Sequence, residues 1–324
     1  MRYPQLTGGG RLRPTRPRPP QPRSPQGQPP PLVAVAHGSA DPRAAAAITD
    51  LMAVVRARAR RAGLEGLQVR AAYLGHALPS VADVLGALSE EALSEETPSE
   101  EARSESATAP ITDALGPGPS RRRGHPPFNG RRTVVVLPLL LTPAYHSDTD
   151  LPAVLHEAAG RLPRLRISYG DPLGPHPLLL RALGRRLAEA GMPEPAPDTA
   201  VVLASAGSSR PTANAAVASA AAALQSARGW RAVVPAFASA ASPKPDQAVA
   251  GLLRAGAARV VVASYLLAPG HFADQVRASS LAAGAAAVSS PLGAAPEMAD
   301  LILKRYAQAA PLPRAATIPR AATF

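Results

Sequence analysis

The chain has 324 residues, enough for two domains of ordinary size, and its 46% apolar content with only 3% aromatics implies an aliphatic core of Ala, Val and Leu. It contains no cysteine, which excludes disulfides, thiolate zinc sites, iron–sulfur clusters and a cysteine nucleophile; any metal must be held by His, Asp, Glu or backbone oxygen. The formal charge of +12 is mainly arginine, with six arginines in the first 23 residues and five more in the clusters Arg121-Arg122-Arg123 and Arg131-Arg132. Aromatics do not alternate with them in the way a single-strand platform needs, so a nucleic-acid platform is not expected, whereas a basic fold attracts a small polyanion.

Residues 1–31 are rich in Pro, Arg, Gly and Gln and read as a disordered tail. The first regular stretch is Leu32-Val33-Ala34-Val35-Ala36, an apolar run flanked by Pro31 and by His37-Gly38-Ser39. Its pattern is that of a strand buried on both faces of a parallel sheet. A helix is predicted over 42–61, ended by Gly63, then a strand over 68–74. Ser80 is a good N-cap for a helix reaching about residue 88. Residues 89–130 are Ser/Glu-rich, then Pro/Gly-rich, then arginine-rich, and read as a low-complexity insertion. Order resumes with a strand over 133–137, a loop over 142–149 carrying Tyr145, His146 and Asp148, and a helix to about Gly160 that Asp150 would cap. A strand over 165–169, a loop holding His176 and a helix over 178–190 complete a βαβαβαβα lobe.

After a Pro-rich linker over 192–198 the same order returns over 199–308, followed by a tail over 309–324. The stretch 201–204 followed by Ser205-Ala206-Gly207-Ser208 parallels the first strand and its loop. Stretches 232–237, 259–267 and 295–306 parallel later elements of the first half. The expected architecture is α/β: two tandem similar lobes over 32–191 and 199–308, each a small parallel sheet flanked by helices.

The halves differ where chemistry would sit. His37 follows the first strand in lobe one, and Ala206 takes its place in lobe two. A purely structural imidazole could be lost this way, but the asymmetry points to one working site in lobe one. His146 follows the third strand on the same sheet edge, where ligands of such sheets bind. Two neutral imidazoles facing one cleft can ligate a borderline divalent metal or accept protons near neutral pH. His76 follows the second strand on that edge and is a candidate third member. His176 reads as a loop-structuring residue, His125 falls in the insertion, and His156 reads as exposed on a helix. His271 occupies the lobe-two loop matching that of His146, one position early, and reads as a relic. No P-loop, dinucleotide glycine motif or nucleophile elbow is present, so ATP, dinucleotide and serine-hydrolase chemistry are unsupported.

The combination His37-Gly38-Ser39-x-Asp41-Pro42, Ala72-Tyr73-Leu74 leading to Pro79-Ser80, and His146-x-x-x-Asp150-Leu151-Pro152 resembles the sirohydrochlorin chelatases, in their long two-lobed form. The resemblance covers most of 32–190 and, more weakly, 199–308. It implies ATP-independent insertion of Co2+ or Fe2+ into sirohydrochlorin, with the metal as substrate and no organic cofactor. The family's catalytic histidines carry over onto His37 and His146. The family often has an acidic metal contact just after the aromatic-leucine pair, where this chain has Gly75 and then His76. Ser39, Arg43 and the helix start after Pro42 are candidate partners for the substrate's carboxylates. The rival readings are a carrier that binds metal or tetrapyrrole without turnover, and a phosphate-ester enzyme with His37 as nucleophile and an arginine pair beside it. No run approaches the ~18 apolar residues of a membrane span, and the N-terminus lacks an apolar signal core, so a soluble cytoplasmic protein without membrane contact is expected.

Overall fold

A computed structural model describes residues 28–96, 131–142, 150–192 and 195–310. Most of both expected tails, the bulk of the insertion and the loop with His146 therefore lie outside the described residues. Lobe one contains β1 (Leu32–Ala36), α1 (Pro42–Arg61), β2 (Val69–Tyr73), α2 (Val81–Glu96), β3 (Arg132–Pro138), α3 (Leu151–Arg161), β4 (Leu165–Tyr169) and α4 (Pro177–Glu189). Lobe two contains β5 (Thr199–Ser205), α5 (Pro211–Arg228), β6 (Ala232–Phe237), α6 (Pro245–Arg254), β7 (Arg259–Ser264), α7 (His271–Ala282), β8 (Ala287–Val288) and α8 (Pro296–Ala309).

Each sheet has four parallel strands, in the orders β2-β1-β3-β4 and β6-β5-β7-β8. All five β1 residues are buried, because both sheet faces are covered. Leu32, Ala34 and Ala36 join the core shared with lobe two, while Val33 and Val35 pack under α2 and α3. β5 alternates in the same way, Val201 and Leu203 facing the shared core and Ala200, Val202 and Ala204 facing away. The result is a central layer of α1, α4, α5 and α8 between two sheets, with α2 and α3 outside one sheet and α6 and α7 outside the other.

Two features depart from the sequence-based expectation. α2 runs eight residues past its expected end, to Glu96. Glutamate is a good helix former, and Glu91 on this extension pairs with Arg70 and Arg132 of the neighbouring strands. The second concerns the closing helices, which exchange lobes. α8 packs on α1 and β3 of lobe one, α4 packs on β7 and α5 of lobe two, and the two pack on each other. Arg185 of α4 donates Nε and Nη2 to the Glu297 carboxylate of α8 at 2.8–3.1 Å. Among the described residues no helix is long and apolar enough to cross a membrane.

The interlobe cleft as candidate metal-handling site

In a sheet of order 2-1-3-4 the connections diverge on either side of β1 and β3, so the crevice beyond their C-termini is the natural ligand position. His37 leaves β1 there and Thr142 follows β3. Lobe two presents its equivalent edge, after β5 and β7, to the same space. Two cavities of about 480 and 300 Å3 lie between the lobes and share His37, Leu266 and Leu267. His37 thus stands where they meet.

The ends of β1 and β2 are locked together. Gly38 has φ +94°, and a β-carbon there would meet the Gly75 carbonyl oxygen at 1.6 Å. The Gly75 N–H donates to the His37 carbonyl at 3.1 Å. The turn then continues through His76 in the left-handed region at φ +58°. This geometry places the His37 and His76 rings 6.5 Å apart, centroid to centroid, inclined at 59°. With metal–imidazole bonds of about 2 Å, one ion shared at a tetrahedral angle would bring the centroids to roughly 5 Å, so the rings are neighbours that must close by about 1.5 Å to share it. Both residues are exposed, and His37 lines the cleft.

Lobe two repeats the backbone without the imidazoles. Gly207 has φ +83° against the Ser239 carbonyl, the Ser239 N–H donates to Ala206, and Ala240 takes the left-handed position at φ +51°. Ala206 and Ala240 therefore stand where lobe one has His37 and His76.

Other predicted residues fall into place individually. Ser39 Oγ accepts the Asp41 N–H at 3.1 Å, ordering the entry to α1. The Asp41 side chain caps α1 by accepting the Arg43 N–H. Arg43 is clamped by two carboxylates: Nε and Nη2 bond Asp41, and Nη1 and Nη2 bond Asp274 of lobe two. These bonds raise the Arg43 pKa, Asp41 contributing first, and hold the Asp41 carboxyl below its ordinary range. In this structure Arg43 is a bridge between lobes, and the phosphate-ester reading loses the cation it required beside His37. His176 is the N-cap of α4, its Nδ1 accepting the Leu178 N–H at 3.1 Å. Burial first, then Lys304 and Arg305, depress its pKa. His156 is exposed on α3.

His125 and His146 lie outside the described residues. Asp150 precedes α3 as expected, but with helical backbone angles (φ −72°, ψ −51°) its side chain does not cap the helix. A capping side chain needs extended backbone at that position to reach the first-turn N–H groups. Among the described residues no group of three or more His, Cys, Asp or Glu could hold a metal ion.

Sequence reasoning missed the lobe-two wall. His271 opens α7 and lines the smaller cavity together with His37 and Ser39. Ser205, the 206–209 loop and Tyr265 line the larger one. The internal duplication was the available signal, since equivalent edges carry equivalent loops. Which way those edges face depends on the helix exchange, which no local pattern encodes.

The CbiX family model matches residues 31–96, 128–190 and 200–309. The chain is 36% identical over 130 residues to the sirohydrochlorin cobaltochelatase of Priestia megaterium, a match spanning 40% of this chain and 42% of that protein. It is 30% identical over 114 residues to the sirohydrochlorin ferrochelatase of Bacillus subtilis (strain 168), spanning 35% and 43%. The chain thus aligns with less than half the length of either relative. Among solved structures, SirB from Bacillus subtilis with Fe3+ aligns with a TM-score of 0.64 at 22% identity, over 87% of this chain and 96% of that one. At that identity the likeness concerns the fold.

Proposed function

Because the chain belongs to the CbiX family, whose model matches most of both lobes, we propose that it inserts a divalent metal ion, Co2+ or Fe2+, into sirohydrochlorin. The observation that carries this reading is His37 at the switch point of lobe one, lining a cleft bounded on its other side by lobe two, with the His76 ring 6.5 Å away at the end of the neighbouring strand. The two matched relatives are named for insertion of cobalt and of iron.

Metal insertion exchanges one hydrated dication for two pyrrole protons. The ion must shed water, meet the ring nitrogens and leave the protein with the product. Neutral imidazole suits both parts of this task. It ligates borderline dications, and it accepts protons near neutral pH. An ion held by few imidazoles keeps open positions at which ring nitrogens replace water. A closed cage would hold the metal back. His37 and His146 are assigned the metal-binding and proton-accepting roles, and His76 that of a further ligand in place of the carboxylate that Gly75 cannot supply. The chain carries no P-loop, in keeping with insertion that consumes no nucleotide.

The test mixes protein, sirohydrochlorin and Co2+ or Fe2+ and follows the visible absorption of the macrocycle. Acceleration over the uncatalysed rate, lost in the His37→Ala/His146→Ala double variant, is the expected result. No acceleration, or full activity in the double variant, rejects the proposal. A carrier without turnover is the second reading, favoured by Gly75 at the position where the family often has an acid. Stoichiometric tetrapyrrole binding with no rate acceleration selects it.

A further inference from the structure

The two lobes share a strand–loop–helix unit, and they finish it differently. In lobe one the helix start is neutralised from within, since the Asp41 carboxylate accepts the Arg43 N–H at the head of α1. In lobe two the N-cap position of α5 is Arg210, with no side-chain cap and no acidic residue in the first turn. An 18-residue helix presents a partial positive charge at this end. The loop leading to it is held in shape. Ser208 donates its N–H to Asn214 Oδ1 at 3.0 Å, Asn214 Nδ2 donates to the Ser208 carbonyl at 2.7 Å, and Ser208 Oγ accepts the Arg210 N–H.

A second observation comes from the strand before the loop. Ser205 is 5% exposed and its hydroxyl has no hydrogen-bond partner among the described residues. It continues the inward alternation of Val201 and Leu203, so its side chain is directed toward the space between the lobes, and it lines the 480 Å3 cavity together with His37. A buried hydroxyl without a partner is costly and calls for an explanation. The same strand position in lobe one is Ala36, which carries no polar group.

We propose that Ser205, the 206–209 loop and the head of α5 form a subsite for one carboxylate of the tetrapyrrole substrate, so that lobe two grips the ring's periphery while lobe one handles the metal. This inference rests on the function proposed above. It assigns lobe two, which lacks counterparts of His37 and His76, a direct part in substrate binding. The anion supplies at α5 what Asp41 supplies at α1.

The test measures the Kd of metal-free sirohydrochlorin for the full chain by fluorescence titration, without turnover. Ser205→Ala removes the hydroxyl. Arg210→Asp installs a resident acid at the helix head, as lobe one has. A lost hydrogen bond to a charged group corresponds to roughly a tenfold rise in Kd, and Arg210→Asp is expected to exceed that. The second arm uses the fully methyl-esterified ring, for which wild type and both variants should bind alike. Circular dichroism confirms that the variants are folded, and Arg210→Asp stands as the test if Ser205→Ala is not. Unchanged Kd values for the acid substrate, or an equal loss on the ester, would overturn the subsite and leave the proposed function standing. A wild-type chain that does not bind sirohydrochlorin at all would overturn both.

Discussion

Replacing Gly38 by alanine tests how the His37–His76 pair is built. At φ +94° a residue with a β-carbon is strained by about 1–2 kcal/mol. The new β-carbon would also stand 1.6 Å from the Gly75 carbonyl oxygen, whereas real β-carbons essentially never approach closer than 3.0 Å, so the two must part by about 1.4 Å. That displacement breaks the Gly75-to-His37 hydrogen bond, worth about 1 kcal/mol. The combined cost is roughly 2–3 kcal/mol, which for a chain of this size lowers Tm by about 3–6 °C. The site suffers more than the fold, because Gly75 leads directly into His76. Cobalt affinity, read by calorimetric titration, should fall at least tenfold at a temperature where the variant remains folded. Gly75→Ala is the control: a β-carbon there meets nothing within 4 Å, and both Tm and affinity should stay near wild type. A Gly38→Ala chain with unchanged cobalt affinity would refute the claim that this contact sets the spacing of the imidazoles.

The open space at Gly75 supports a gain-of-binding prediction: Gly75→Glu puts a carboxylate beside two imidazoles and should tighten Co2+ binding severalfold in the same titration. Glu297→Ala removes one side of a partly exposed interlobe clamp and should cost about 1–2 kcal/mol, between the values for surface and buried pairs. The bond from Arg185 lowers the Glu297 pKa below 4.5, so the stabilisation is complete above that pH and is lost as pH falls through the folded value; the Tm difference between wild type and variant should shrink in acid. His176→Ala should cost about 0.5–2 kcal/mol as a lost N-cap. Because its folded pKa is depressed, that contribution is present above the ordinary histidine pKa of 6.5 and disappears as pH falls through the folded value, when Nδ1 becomes a donor.

Much of the fold was legible because buried parallel strands leave a strong local signature. β1 and α1 follow from a five-residue apolar run and an Asp-Pro start, and the repeat of that unit revealed the duplication. His37 and His76 could be assigned to one sheet edge from sequence, because both directly follow strands. What sequence could not supply was the partner of each polar group across the lobes. Arg43 reads as a free cation beside a binding loop until Asp274, 231 residues away, is brought against it. His271 reads as a relic until α7 is placed opposite His37. Asp150 shows the opposite failure: the residue type is right for a cap, but the backbone angles at that position are helical.

The crossing of α4 and α8 has an implication for how far each half stands alone and how the molecule can move. Cut between the halves, neither piece would keep the helix that roofs its own inner face, and each would expose aliphatic surface that only the other piece covers. The same interlock opposes a hinge-like parting of the halves, because parting would pull α4 off β7 and α8 off β3. Any opening of the cleft has to work around helices that are anchored against both sheets.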